Sequence, residues 1–408
     1  MKKLLLLICV FAFLSLHCNA ESAWFTNDSV YSEFLEPIEL SSIDFAELRT
    51  VGISNYEDLS ILDSLKKSEQ LSSLTLHTVD SSMLYGVGRM ADMFPNLIEL
   101  NIHNCSIDLE KFDLNQFHFL KTLYFENNDV ANSQIEYSNE NLERIELENN
   151  DFDAFPSFAT LSKNITFLEL SGSKLEEIDS SIFRLKKLET LVLNDNEIEN
   201  IPAEIDKLLN LCSLIFSNND IQSLPDELQR CKNLEWLDLA DNNLKEIISF
   251  IDTKLYAISL SGNPDLNIEE TLNKLPRSLG QFYYSRNGVN NVPEIFKEFY
   301  ALSFIALESD NLAEFPPLPD KFEAPVVSIL LAYNNIEHIP KRILKMPNLR
   351  LQIEYNKIKE INLDILKLES ISLEGNPLTE EFKEKALKYK SNNREKTNII
   401  IEKLKEEQ

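Results

Sequence analysis

Apolar residues recur along this chain in the order L-x-x-L-x-L-x-x-N-x-L, and the pattern returns at nearly constant intervals from about residue 48 to residue 378. The clearest copies are Leu188, Leu191, Leu193, Asn196, Ile198, then Leu211, Leu214, Phe216, Asn219, Ile221, then Leu234, Leu237, Leu239, Asn242, Leu244. Their asparagines are 23 residues apart. The same position holds Asn128, Asn150, Ser173, Asn263, Asn287, Asp310, Asn334, Asn356 and Asn376, with Cys105, Val79 and Tyr56 on the N-terminal side. That makes about fifteen repeats of roughly 20 to 26 residues. The alternation of apolar and polar positions predicts a short strand with one face inward, and stacked repeats place these strands in a parallel sheet. At the strand end an asparagine amide both donates to and accepts from backbone groups that the turn leaves without ladder partners.

The second half of a repeat reads I-P-x-x-I-x-x-L, as in Ile201, Pro202, Ile205, Leu208 and again in Leu224, Pro225, Leu228, Cys231 and Ile339, Pro340, Ile343, Met346. Proline suits the first turn of a short helix or an extended stretch, where its missing N–H costs little, so this half returns the chain behind the sheet. The longer interval between Val79 and Cys105 includes Met83 to Met93, which the pattern predicts as a helix on that side.

With these motifs the chain resembles the leucine-rich-repeat family, in the 23-residue L-x-x-L-P-x-x-I-x-x-L form found in bacterial proteins and in Ras-group-like proteins. The resemblance implies an α/β repeat solenoid, a curved horseshoe with a parallel β-sheet on the concave face and short helices, 3-10 turns or extended segments on the convex face. It also implies a module that binds proteins. A single repeat cannot cover its own apolar surface, so the array is one cooperative unit with capped ends. The expected organisation is a signal peptide at 1–20, an N-terminal cap at 21–47 with Trp24, Phe25 and Phe34, the solenoid at 48–378, and a helical C-terminal cap at 379–408 with Phe382, Leu387, Ile400 and Leu404.

Lys2 and Lys3 precede an apolar run from Leu4 to Leu16, too short to span a bilayer, followed by Cys18, Asn19 and Ala20. This is the layout of a secretory signal cut near Ala20, and His17 ahead of Cys18 disfavours lipidation of that cysteine. Losing Lys2 and Lys3 takes the formal charge from −28 to −30, a surface that repels phosphate backbones and steers in basic partners. Cys105, Cys212 and Cys231 remain, an odd and sparse set that makes no disulfide framework. Cys105 and Cys231 fall on positions expected to be buried.

Given the register, the third, fifth and seventh residues of each strand segment face outward. The third position supplies Phe167, Trp236 and Phe304; the fifth Tyr124, Glu146, Glu169, Val192, Ile215, Asp238, Tyr283 and Leu330; the seventh Glu126, Glu148 and Glu308, with Tyr333 and Tyr355 one residue further on. Large aromatics beside carboxylates are the makings of a protein interface. His77 and His103 share the seventh position with Glu126 and Glu148, a line that offers zinc ligands in poor tetrahedral geometry. No HExxH, G-x-S-x-G, Walker or GxGxxG signature occurs, so neither an enzyme nor a cofactor is expected. Asn27, Asn104 and Asn164 head N-x-S/T sequons. The sequence therefore points to an exported, non-catalytic protein-binding module without a transmembrane span, secreted, periplasmic or on the cell surface. A polysaccharide-binding protein is the alternative, or an intracellular scaffold or enzyme regulator if the signal is unused.

Overall fold

A computed structural model of the protein describes residues 22–26, 30–32, 37–38, 46, 48–55, 59–66, 68–131, 140–152, 156, 163–392 and 399–400. The expected signal peptide with Cys18, together with Asn27, Phe34, Tyr56 and Leu404, lies outside these residues. The chain divides into two compact units, 1–165 and 166–408.

In the first unit, β1 (Ser22–Thr26), β2 (Val30–Ser32) and β3 (Pro37–Ile38) form an antiparallel meander, and β1 also pairs in parallel with β4 (Thr50–Ser54). The segment read as a cap thus contributes a strand to the first repeat. The chain continues through β5 (Ser73–His77), β6 (Glu99–His103), β7 (Ser106–Asp108), β8 (Thr122–Glu126), β9 (Asp129–Ala131), β10 (Arg144–Glu146) and β11 (Asp151–Phe152). Strands β4, β5, β6, β8 and β10 pair in parallel and in register, whereas β7, β9 and β11 make a second, three-stranded sheet just past the turns. Behind the main sheet run α1 (Ile61–Leu65) and α2 (Ser81–Gly88), the latter capped by Asp80, whose carboxylate accepts from Met83 N–H at 2.8 Å. The helix expected over Met83 to Met93 runs from Ser81 to Gly88, followed by a separate 3-10 turn at Ala91–Met93.

The second unit repeats the same step along β12 (Phe167–Glu169), β13 (Thr190–Val192), β14 (Ser213–Ile215), β15 (Trp236–Asp238), β16 (Ala257–Ser259), β17 (Gln281–Tyr283), β18 (Phe304–Ala306), β19 (Val327–Leu330), β20 (Leu349–Gln352), β21 (Ser370–Ser372) and β22 (Ile399–Ile400). Every pairing is parallel, and Leu191, Leu214, Leu237, Ile258, Phe282, Ile305, Ile329, Leu351 and Ile371 align as one buried row. Pro202, Pro225, Pro293 and Pro340 each sit in extended backbone immediately before a five-residue 3-10 helix, where no N–H is called for. The interval after Asn263 carries α3 (Ile268–Asn273), and α4 (Glu380–Asn392) follows the last repeat. Two expectations for the C-terminal cap change here. Phe382 and Ala386 are the buried residues of α4 while Leu387 is 60% exposed, and Ile400, expected in a helical cap, pairs as a strand beside β21.

The repeat asparagines act as expected. Asn196 donates to the carbonyls of Leu170 and Leu193 and accepts the N–H groups of Ser173 and Leu175; Asn219, Asn242, Asn263, Asn334 and Asn356 make equivalent bonds between consecutive turns. The residue before the ladder position takes positive φ in repeat after repeat, including Asn55 (49°) and Thr78 (50°), so the turn conformation fixes the register of the first repeats as well. Cys105 fills the position with its backbone N–H donating to the Asn128 amide oxygen at 2.9 Å and its thiol donating to the His103 carbonyl. Cys231 is buried among repeat leucines, and burial pushes its thiol up to about 11. Asp310 is the exception among the ladder residues. Its Oδ1 accepts from Asn287 and Val289, but Oδ2 is buried without a partner, and burial raises its pKa.

Candidate functional site: the outward sheet faces

The two units present different outward faces. In the first unit the face is polar and largely satisfied from within. Ser73 and Asn101 both donate to Glu99, Asn101 also reaches Thr75, and Arg144 pairs with Glu146. Tyr124 is half-buried against Arg144 and Glu146, and burial raises its phenol pKa. His103 Nδ1 meets Glu126 Oε2 at 2.9 Å, a bond that lowers the Glu126 pKa. Glu148 is exposed at the turn and accepts from Asn149.

The histidine line is brought together only in part. The His77 and His103 rings lie 6.3 Å apart. His77 Nε2 faces the Asn104 amide at 3.0 Å and its Nδ1 faces the hydroxyls of Ser54 and Thr78, so the ring is occupied on both sides. Burial, then the neighbouring His103, lowers the His77 pKa. Among the described residues no three His, Cys, Asp or Glu side chains assemble as a metal-holding group. Of the sequons, Asn104 is exposed but uses its amide on His77, and Asn164 donates to the Glu140 carbonyl at 2.7 Å.

In the second unit the outward face is aromatic. Trp236 on β15 and Tyr283 on β17 belong to strands two repeats apart, yet their ring centroids are 6.1 Å apart. They meet because β16 between them carries only Ala257 and Ser259, which the rings cover. Tyr283 also stacks on Phe304 of β18 at 4.8 Å and donates its hydroxyl to Gln281. Tyr256, at the second position of its repeat, crosses Gly280 and comes within 3.5 Å of Ser303; a Cβ on Gly280 would lie 2.1 Å from the Tyr256 ring. The small residues Ala257, Ser259 and Gly280 and the aromatic Tyr256 are absent from the outward residues named from sequence. Their signal was there as gaps in the ladder, since a large side chain spreads over whatever neighbouring repeat is small.

Asp238 lies in the same cross-strand row as Ser259 and Tyr283. It accepts from Ala240 N–H at 3.0 Å and from the Ser259 hydroxyl, and among the described residues it has no ion-pair partner. Burial raises its pKa; burial, and then the Asp238 charge, raise that of Tyr283. A second carboxylate pair lies further along, where Glu308 and Glu354 occupy seventh positions on either side of the repeat that contributes buried Ala332. Burial and then Glu354 raise the Glu308 pKa, and Oε2 of Glu354 is buried without a partner.

The remaining expected residues divide by accessibility. Phe167, Glu169, Ile215 and Leu330 are half-buried on the face, and Glu169 accepts from Ser171. Val192 shares the outward position but is only 7% exposed, which removes it from the accessible surface. Tyr333 and Tyr355, 56% and 42% exposed, stack with centroids 4.6 Å apart and planes 7° from parallel. Gly375 makes room for Tyr355, because a Cβ there, already at φ +72°, would lie 2.4 Å from its ring.

Comparison with other proteins agrees with this architecture. Residues 186–244 match the family model described as leucine rich repeat. No curated relative matches in sequence. Among solved structures, the leucine-rich-repeat protein LIC12759 of Leptospira interrogans is 21% identical with a TM-score of 0.59, over 84% of this chain and 88% of that one. TLR13, solved as a complex with ssRNA13, is 21% identical with a TM-score of 0.57, over 88% of this chain and 66% of that one. The plant peptide hormone receptor RGFR1, solved with RGF2, is 18% identical with a TM-score of 0.55, over 88% and 62%. The repeat consensus, the buried asparagine ladder, the parallel sheets and these likenesses together give the chain the leucine-rich-repeat fold.

Proposed function

We propose that the protein is an exported, non-catalytic module that captures a protein ligand on the outward sheet face of its second unit. The observation that carries this reading is the contiguous Trp236–Tyr283–Phe304 cluster on the solvent side of the sheet. These rings alternate with the inward row of Leu237, Phe282 and Ile305 and stand on the other side of the strands from it, and rigid aromatics ringed by polar groups are the usual anchors of protein interfaces. Relatives of the same fold include a peptide hormone receptor solved with its ligand. The TLR13 structure contains RNA, but a chain of net charge −28 repels a phosphate backbone. Export rests on the N-terminal basic residues and apolar run. Among the described residues no helix is long and apolar enough to cross a membrane.

The test is affinity capture from host-cell and bacterial-envelope extracts with the parent and a Trp236→Ala/Tyr283→Ala variant of matched far-UV spectrum. A protein retained by the parent and lost by the variant supports the reading; identical retention by both removes the aromatic face. Fractionation of expressing cells tests export, and accumulation in the cytosol would favour an internal scaffold.

The exposed Tyr333–Tyr355 stack supports a second reading, since parallel aromatic platforms beside carboxylates also accept sugar rings. A glycan array read against a Tyr333→Ala variant separates the two.

A further inference from the structure

The second unit's face combines aromatic rings with carboxylates that have no cation of their own. Asp238 is in register with Ser259 and, through it, with Tyr283, two residues after Trp236 on the same strand, with hydrogen bonds from Ala240 and Ser259 but no ion pair among the described residues. Arg286, exposed on the turn side, is committed to Asp241 at 2.8 Å. At the second place, Glu308 and Glu354 are close enough to act on each other's charge, and Glu354 Oε2 is buried without any partner. Desolvated carboxylates are costly unless paired, and folding alone gives no reason to keep these among alanines and aromatics. The first unit shows the contrast, since Glu126 and Glu146 on its face meet His103 and Arg144.

We propose that this face recognises a basic segment of the ligand, seating one arginine or lysine side chain against Asp238 beside the Trp236 and Tyr283 rings and a second between Glu308 and Glu354. The inference rests on the sheet-face reading above and names the chemistry of its partner. At the first place the cation gains both the carboxylate and the negative faces of the rings, and at the second it separates two like charges. Sheet strands are about 4.8 Å apart, so the second place lies about 19 Å from the first, four strand spacings on average. An extended segment covers that distance in about six residues.

The net charge of −28 complements such a segment, and small apolar ligands would leave the carboxylates unpaired. Electrostatic steering then makes association sensitive to salt.

The probe is an acetylated, amidated glycine peptide carrying two arginines six residues apart, with a twin in which both are citrulline, a neutral isostere. Binding is followed by Trp236 emission in a Trp24→Phe chain and by calorimetry. The arginine peptide should bind and the citrulline peptide should not, with affinity falling as salt rises. Asp238→Asn should weaken the arginine peptide roughly tenfold, and Glu308→Gln/Glu354→Gln by a similar factor, the size expected for a partly desolvated cation contact. Equal behaviour of the two peptides, no binding of either, or an Asp238→Asn affinity equal to the parent's overturns the proposal. Failure here is distinguishable from failure of the parent reading: a captured protein lost by Trp236→Ala/Tyr283→Ala but kept by Asp238→Asn leaves the sheet face as a binding site and removes its preference for cations.

Discussion

Trp236 and Tyr283 are in ring contact across an intervening strand because that strand presents Ala257, fully buried beneath them, in register with both Trp236 and Gln281. The candidate site is therefore made as much by a small residue as by large ones. Ala257→Leu should wedge the two rings apart. The expected readout is a red-shifted Trp236 emission in a Trp24→Phe chain and loss of ligand binding, with the repeat core beneath unchanged. Unaltered emission would mean that the contact does not depend on the gap.

The asparagine ladder makes a quantitative prediction about stability. Asn219 is buried, donates to the carbonyls of Leu193, Phe216 and Ser217, and accepts from Ile198 N–H. Asn219→Ala leaves several of these groups buried and unpaired, at about 1–3 kcal/mol for such a loss. Chemical denaturation should show that loss. A change below about 0.5 kcal/mol would indicate that water replaces the amide.

The register of the strands, the inward rows, the turn asparagines and the convex-side helix could all be read from sequence, because each depends on a local period or a single residue type. The outward ladder was legible as positions but not as a site. Which rings touch depends on residues such as Ala257, Gly280 and Ala332, whose effect is to let neighbours spread. Val192 shares an outward position but is covered, and Glu126 and Glu146, outward by register, are engaged by His103 and Arg144. At the C-terminal end the 3.6-residue pattern extended past α4, whereas Ile399 and Ile400 pair with β21, an outcome that an edge strand's unsatisfied backbone decides.

Asp310 should make stability depend on pH in the direction opposite to most carboxylates. Its folded pKa is raised by burial above the ordinary value of 3.8, so the protonated form is the one the fold prefers. Its contribution is fully present below the unfolded pKa and is lost as pH rises through the folded one. Protonated, Oδ2 gains a hydrogen to donate where the other ladder residues use an amide. Asp310→Asn should raise stability at pH 7 by about 1–2 kcal/mol and flatten this part of the pH profile. Thermal denaturation of both forms from pH 4 to pH 8 checks it; an unchanged or lower melting temperature at pH 7 would contradict it.

His77 should act in the opposite sense on the first unit. Its pKa is lowered below 6.5 by burial and by His103, with Glu126 opposing, so its contribution is present above pH 6.5 and is lost as pH falls through the lowered value. Protonation would also set an N–H against the donating amide of Asn104. Amide exchange over residues 73–104 should accelerate between pH 7 and pH 5, and less so in His77→Gln. Equal acceleration in both forms would assign the effect elsewhere.

The central claim is that the ligand engages the second unit's outward sheet face. Its most direct measurement is calorimetric titration of the captured ligand against the parent, Trp236→Ala/Tyr283→Ala, and Leu209→Ala, a large exposed residue just past a 3-10 helix and off the strands. Affinity reduced at least tenfold by the aromatic pair and unchanged by Leu209→Ala is the predicted result. Equal affinity for the parent and the aromatic variant, or a loss only in Leu209→Ala, would contradict it.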